Sequence, residues 1–156
     1  RLIRRQRQMC IRDRVVDAEV IFACLIKRGF SLELVKIAKE SGYRLVTPEY
    51  VFEEIRRKED KLLKYSKLER SKLWFVLFLL FSEMEPIPRE EYREFEKEAR
   101  ENAPLEDFPY LALALKFKRL GEDVRIWSND SEFKRKSEKL VPFVSTKELA
   151  SELGVI

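Results

Sequence analysis

The stretch VVDAEVIFACL, residues 15–25, joins the end of a short apolar strand to an acid and then to a run with apolar residues at helical spacing. The same order returns along the chain. Gly42 closes a helix over Leu32–Lys39 that Ser31 is placed to cap, and YRLVT (43–47) reads as a second strand. Pro48 suits the first turn of a helix running to about Ser66, with Thr47 as its cap. DVRIWS (123–128) reads as a further strand, followed by a short charged helix over Phe133–Lys139. Between them lie an apolar helix over Leu68–Ser82, an extended piece around Ile87, a charge-laced helix over Glu90–Glu101 and an Ala/Leu-rich helix from Pro109 to Gly121. Val141–Val144 is the last strand, and Thr146 is placed to cap a final helix through Leu153. Strands separated by helices of about ten residues or more require right-handed crossovers and a parallel sheet covered on both faces. The expectation is a three-layer α/β domain with five short strands.

Charge and composition bound the function. The chain has 156 residues, 45% apolar and 38% charged, an ordinary globular balance. Its net charge of +4 is uneven: residues 1–14 carry six arginines against Asp13, which leaves residues 15–156 at −1. The basic pI therefore belongs to the leader and does not mark a nucleic-acid face on the domain. That leader has neither apolar periodicity nor the apolar core of a signal peptide. It reads either as a basic arm or as non-native sequence, because QMCIRDR resembles translated adaptor or cloning sequence, and the domain is expected over 15–156. Cys10 and Cys24 are the only cysteines and histidine is absent, which excludes structural zinc, a disulfide scaffold, histidine-based ribonuclease chemistry and Ser-His-Asp catalysis. Cys24, on an apolar helical stripe, reads as a core filler. The longest apolar run, Leu73–Phe81, is nine residues and too short for a bilayer, so a cytoplasmic protein is expected.

Four acids stand where such a sheet binds ligands, beyond the carboxyl ends of the strands near the point of reversal. Asp17 and Asp130 end strands; Glu54 and Asp107 lie near helix starts. Singly, each has a structural explanation: Asp17 as a helix cap, Asp130 in an Asn-Asp turn, Glu54 and Asp107 as first-turn carboxylates favoured by the helix dipole. Together they form a conflict. Carboxylates about 4 Å apart repel by roughly 4 kcal/mol per pair at an effective dielectric of about 20. Mg²⁺ or Mn²⁺ relieves it, since hard cations prefer oxygen ligands and no imidazole is available.

VVDAEVIFACL, TPEYVFEEI, LEDFPYLALALKFK and WSNDSEFKRKS, in this order and spacing, resemble the four acidic motifs of PIN-domain nucleases, and the similarity runs from about Val15 to Ile156. The resemblance implies a parallel sheet in the order 3-2-1-4-5, with the strands ending in Asp17 and Asp130 side by side. It assigns the metal and catalytic carboxylates to Asp17, Glu54, Asp107 and Asp130. Glu132 falls where some members carry a further acid, and Ser128 where the family often has a small hydroxyl residue near the scissile phosphate. Glu19 departs from the family, which often has Asn there. The activity implied is a metal-dependent endoribonuclease leaving 5′-phosphate and 3′-hydroxyl ends.

Phosphodiester hydrolysis needs an activated water in line with the leaving oxygen and a counter-charge for the developing negative charge, and one or two metals on four acids can supply both. Lys134, Arg135 and Lys136 could hold RNA phosphates, as could Arg56 and Arg57; a solvated helix face explains both clusters equally well. The helix around Trp74, Phe75 and Phe78 is apolar almost all round, which suggests a partner contact. Homodimers are usual in the resembled family, and in its VapC-type toxins an antitoxin lies on this helical region. A nuclease-inactive module serving as an RNA or protein scaffold stays open, with all four acids weighing against it. A phosphatase of the haloacid-dehalogenase type needs Asp two residues past its nucleophile, where this chain has Glu19.

Overall fold

The computed structural model describes residues 12–156. Five parallel strands form one sheet in the order β3-β2-β1-β4-β5, the expected order. The strands are β1 (Arg12–Val16), β2 (Tyr43–Pro48), β3 (Glu85–Ile87), β4 (Asp123–Trp127) and β5 (Phe143–Val144). Between β1 and β2 run α1 (Ala18–Lys27) and α2 (Phe30–Glu40); between β2 and β3 run α3 (Tyr50–Arg57), α4 (Glu59–Ser66) and α5 (Arg70–Phe81). Two 3₁₀ turns, α6 (Glu96–Asn102) and α7 (Phe108–Arg119) lead to β4, and α8 (Ser131–Ser137) and α9 (Thr146–Glu152) flank β5.

β1 is the hub. Arg14 pairs in register with Leu45 on one side and Arg125 on the other, so the chain winds outward from β1 in both directions. That reversal opens a crevice past the carboxyl ends of β1 and β4. Helix α7 packs against β1, β2 and β4 and beneath α6, and every residue from Pro109 to Leu115 is buried. An Ala/Leu-rich sequence suits a helix covered all round, because small side chains let it approach the sheet while leucines fill the gaps. On α1, Val20, Ile21, Cys24 and Leu25 are buried, with Cys24 a core residue as expected and free among the described residues.

Several local expectations need correction. The domain boundary at Val15 cuts through a strand: β1 begins at Arg12, and Asp13 and Arg14 are buried. Residues 1–11 lie outside the described residues. The helix expected over Pro48–Ser66 is two helices meeting at Lys58. Thr47 and Pro48 remain in β2 because the Thr47 hydroxyl donates to the Val16 carbonyl (3.1 Å) and the next amide, Glu49, to Ile87 of the edge strand (2.9 Å). Ser31 lies inside α2, which starts at Phe30 behind Gly29. Ser145, rather than Thr146, caps the last helix through a reciprocal box with Glu148. The Glu90–Glu101 segment is α-helical only from Glu96, after two 3₁₀ turns, and α8 spans Ser131–Ser137, two residues earlier than the pattern suggested.

Candidate metal-binding active site

Three of the four acids are placed by ends of elements at the crevice. Asp17 follows β1 directly, its amide donating to the Trp127 carbonyl of β4 (3.0 Å), which ties the two strand ends together. Its carboxylate is buried, and Oδ2 accepts a 2.6 Å hydrogen bond from the Ser128 hydroxyl. Asp107 precedes α7 and is half-buried. Asp130 precedes α8, where Oδ1 accepts from the Glu132 and Phe133 amides (3.0 and 3.2 Å), a true side-chain cap. Glu54 comes from the middle of α3 and is buried; its Oε1 accepts a 2.6 Å hydrogen bond from the buried Tyr110 hydroxyl.

The charges act on one another. Burial lifts Asp17 well above the usual carboxylate range against the Ser128 hydrogen bond, and Asp107, Glu19 and Glu54 push it higher. Asp107 is raised to about 7, first by burial and then by Asp130, Glu54, Glu106 and Glu132. Glu54 is raised by burial, with the Tyr110 hydrogen bond, Lys58 and Arg57 opposing and Glu106 adding to the rise. Glu19 is raised by burial; the Asn129 amide donates to its Oε1 (2.5 Å), so this departure from the resembled family is built into the β4 end of the site. Acids from four separate elements thus share one electrostatic field, which a divalent cation would relieve. The all-oxygen donor set fits Mg²⁺ or Mn²⁺. As arranged, Asp17 and Glu54 are turned onto hydroxyls and Asp130 onto amides, and among the described residues no three acid or cysteine side chains are close enough to grip one ion.

Residues 15–149 match the PIN domain family. The chain belongs to the PIN domain family. Membership places it among nucleases of that fold. No curated protein matches it in sequence. Among solved structures it is similar to the crystal structure of VapBC2 from Rickettsia felis bound to a DNA fragment from their promoter. That match has a TM-score of 0.61 at 13% identity and covers 85% of this chain and 98% of that one. At this identity the likeness speaks for the PIN fold alone.

Other expected residues sit around the acids. Ser128 is buried and its hydroxyl is engaged at both ends, donating to Asp17 and accepting from the Asp130 amide (3.0 Å). Glu132 is exposed and pairs with Lys136 across one turn (3.5 Å). Lys134 and Arg135 are exposed on α8. Trp74, Phe75 and Phe78 are exposed on α5, with Phe78 at 70%, while Leu73, Leu77 and Leu80 face the core. Sequence reasoning missed Tyr110, whose hydroxyl sets Glu54. Its one signal was a polar-tipped aromatic inside an otherwise apolar helix, three residues past Asp107, and a buried tyrosine hydroxyl wants a partner. No helix of the described residues is long and apolar enough to cross a membrane.

Proposed function

We propose that this PIN-domain protein is a divalent-metal-dependent endoribonuclease, and the toxin of a toxin–antitoxin pair. The observation that carries the first part is the gathering of Asp17, Glu54 and Asp107, buried or half-buried acids from three different elements, in which the Glu54 charge raises both aspartates and Asp107 raises Asp17 further. Asp17, Asp107 and Asp130 would hold Mg²⁺ or Mn²⁺, and Glu54 would complete the set or orient the attacking water. The ion would supply an activated water and a counter-charge for the phosphodiester in the transition state.

This chain's own residues supply the positioning. Ser128 links Asp17 to the Asp130 backbone, so it acts on the acids rather than on the phosphate. Tyr110 fixes the Glu54 carboxylate. Capping commits only Oδ1 of Asp130. Lys134 and Arg135 would take up backbone phosphates beside Asp130, with Lys136 shared with Glu132. RNA as the substrate rests on the family resemblance, as do the homodimer and the antitoxin. Trp74, Phe75 and Phe78 support a partner contact on α5, because an apolar patch of this kind is costly to leave in water. The toxin reading also draws on the likeness to a VapBC2 structure.

One observation favours the second reading, a nuclease-inactive scaffold: no three acids converge on a single ion as the side chains stand. The test is incubation of the purified protein with structured and single-stranded RNA in Mn²⁺, Mg²⁺ or EDTA, beside the Asp17→Asn variant. Cleavage that needs metal and Asp17 is expected. Intact RNA under every condition would favour the scaffold.

A further inference from the structure

Beside Glu54 the surface opens into a cavity of about 530 Å³ that the acid site does not use. Its walls are aromatic: Tyr50 and Phe52 of α3 on one side, Phe108 at the head of α7 on the other. Two guanidiniums stand close to these rings. Arg100 sits 4.0 Å above Phe108, and Arg57 lies over Tyr50 at 5.6 Å while donating to its hydroxyl (2.8 Å). Two links tie the walls of the cavity to the acid site. Tyr50 packs edge-on to Tyr110, the residue that holds Glu54, and Phe108 directly follows Asp107.

Its charge is mixed. Arg56 and Arg100 line it and make no salt bridge among the described residues, and neither do the lining acids Glu49, Glu53 and Glu90. A purely cationic groove would serve phosphate alone. Flat aromatic and guanidinium faces with free carboxylates at the rim suit an unstacked base that presents N–H donors. Guanine is the base that offers an imino and an amino donor side by side, the pair that the two oxygens of one carboxylate can accept. Adenine and cytosine offer one amino group, uracil one imino group.

Resting on the ribonuclease reading above, we infer that this cavity takes one unstacked guanine nucleotide of a single-stranded RNA next to the scissile position. Tyr50 and the Arg100 guanidinium backed by Phe108 stack the base, Glu53 accepts from its donor edge, and Arg56 holds a flanking phosphate.

The test is binding of the full chain, in EDTA, to labelled six-nucleotide single-stranded RNAs that differ only at one central base, followed by fluorescence anisotropy. Guanine should bind about tenfold tighter than adenine, the scale of one paired-donor contact, and inosine, which lacks the amino group, should fall between. Glu53→Gln should erase most of that preference, while Phe108→Ala should weaken every oligonucleotide by roughly tenfold or more through lost stacking. Equal binding of guanine and adenine by the wild type would overturn the assignment, as would a guanine preference untouched in a Glu49→Gln, Glu53→Gln, Glu90→Gln triple variant. The readout does not depend on cleavage. RNA cleavage without a base preference would remove the guanine pocket and leave the nuclease standing, and a Glu53-dependent guanine preference without cleavage would do the reverse.

Discussion

Asp13 and Asp17 lie four residues apart on one extended run, so their side chains leave the same face of the sheet, one at each end of β1. Both carboxylates are buried, and burial raises both. Their surroundings differ. Asp17 receives a short hydrogen bond from Ser128 and shares its field with Asp107, Glu19 and Glu54. Among the described residues neither Asp13 oxygen accepts a hydrogen bond; Arg44 stands 3.9 Å away, and Glu122 adds to the burial that lifts Asp13 to about 7. A raised carboxylate therefore does not by itself mark a site. What separates the two ends is how many acids gather there and whether a donor is in hydrogen-bond contact: Asp17 has the Ser128 hydroxyl and three further acids, Asp13 only the Glu122 charge and an arginine 3.9 Å away.

Replacing the acids should break the symmetry between them. Asp17→Asn is expected to lower RNA cleavage by more than roughly a hundredfold, beyond the 10–100-fold typical of losing a ligand's supporting partner, with the melting temperature held or raised. Full activity in that variant would remove Asp17 from the site. The supports come next: Ser128→Ala and Tyr110→Phe should each cost about 10–100-fold in metal affinity or activity, since each frees a carboxylate that the hydroxyl now orients. Titrating Mn²⁺ against cleavage rate measures this, and unchanged metal dependence in both would mean the hydroxyls only fill space.

The amino end should respond in the opposite sense. Asp13→Val removes a buried carboxyl, held only by a long contact to the partly exposed Arg44, from a strand position that favours an apolar residue, and should stabilise the fold by about 1–4 kcal/mol without altering cleavage. Denaturant midpoints would check it, and a destabilised variant would show that Asp13 has a partner of consequence. The smallest effect is with pH. Asp13 and Asp107 have folded-state values near 7 against 3.8 for an ordinary aspartate, so the folded state holds more protons between them. Stability from this source is complete below about pH 4 and is lost as pH rises through 7. Metal-free melting temperatures should therefore fall from pH 5 to pH 8, less steeply in Asp13→Val. A flat profile would contradict both raised values.

Much of the architecture was legible in order and spacing. The alternation of short strands with helices, the glycine at 42, the buried Ala/Leu helix and the five-strand parallel sheet all follow from local pattern. Local errors came where a tertiary contact overrode a propensity. Pro48 reads as a helix opener, yet the Thr47 hydroxyl and the β3 edge keep it in the strand. Arg12–Arg14 read as a polar leader, yet pairing with β2 and β4 on both sides draws them into the sheet; Arg14 is accommodated by the Asp123 carbonyl, Glu152 and the Tyr43 ring.

By itself the sequence determined the class of fold, the all-oxygen character of the acid set and the exclusion of histidine chemistry, because these depend on periodicity and on which residue types exist at all. It could not determine that Tyr110 orients Glu54, that Ser128 bridges Asp17 to the Asp130 amide, or that an aromatic cavity opens beside α3. Those depend on side chains from elements 56 and 111 residues apart meeting at one sheet edge. Such meetings are set by how the helices pack on the sheet, and no local stretch of chain encodes that packing.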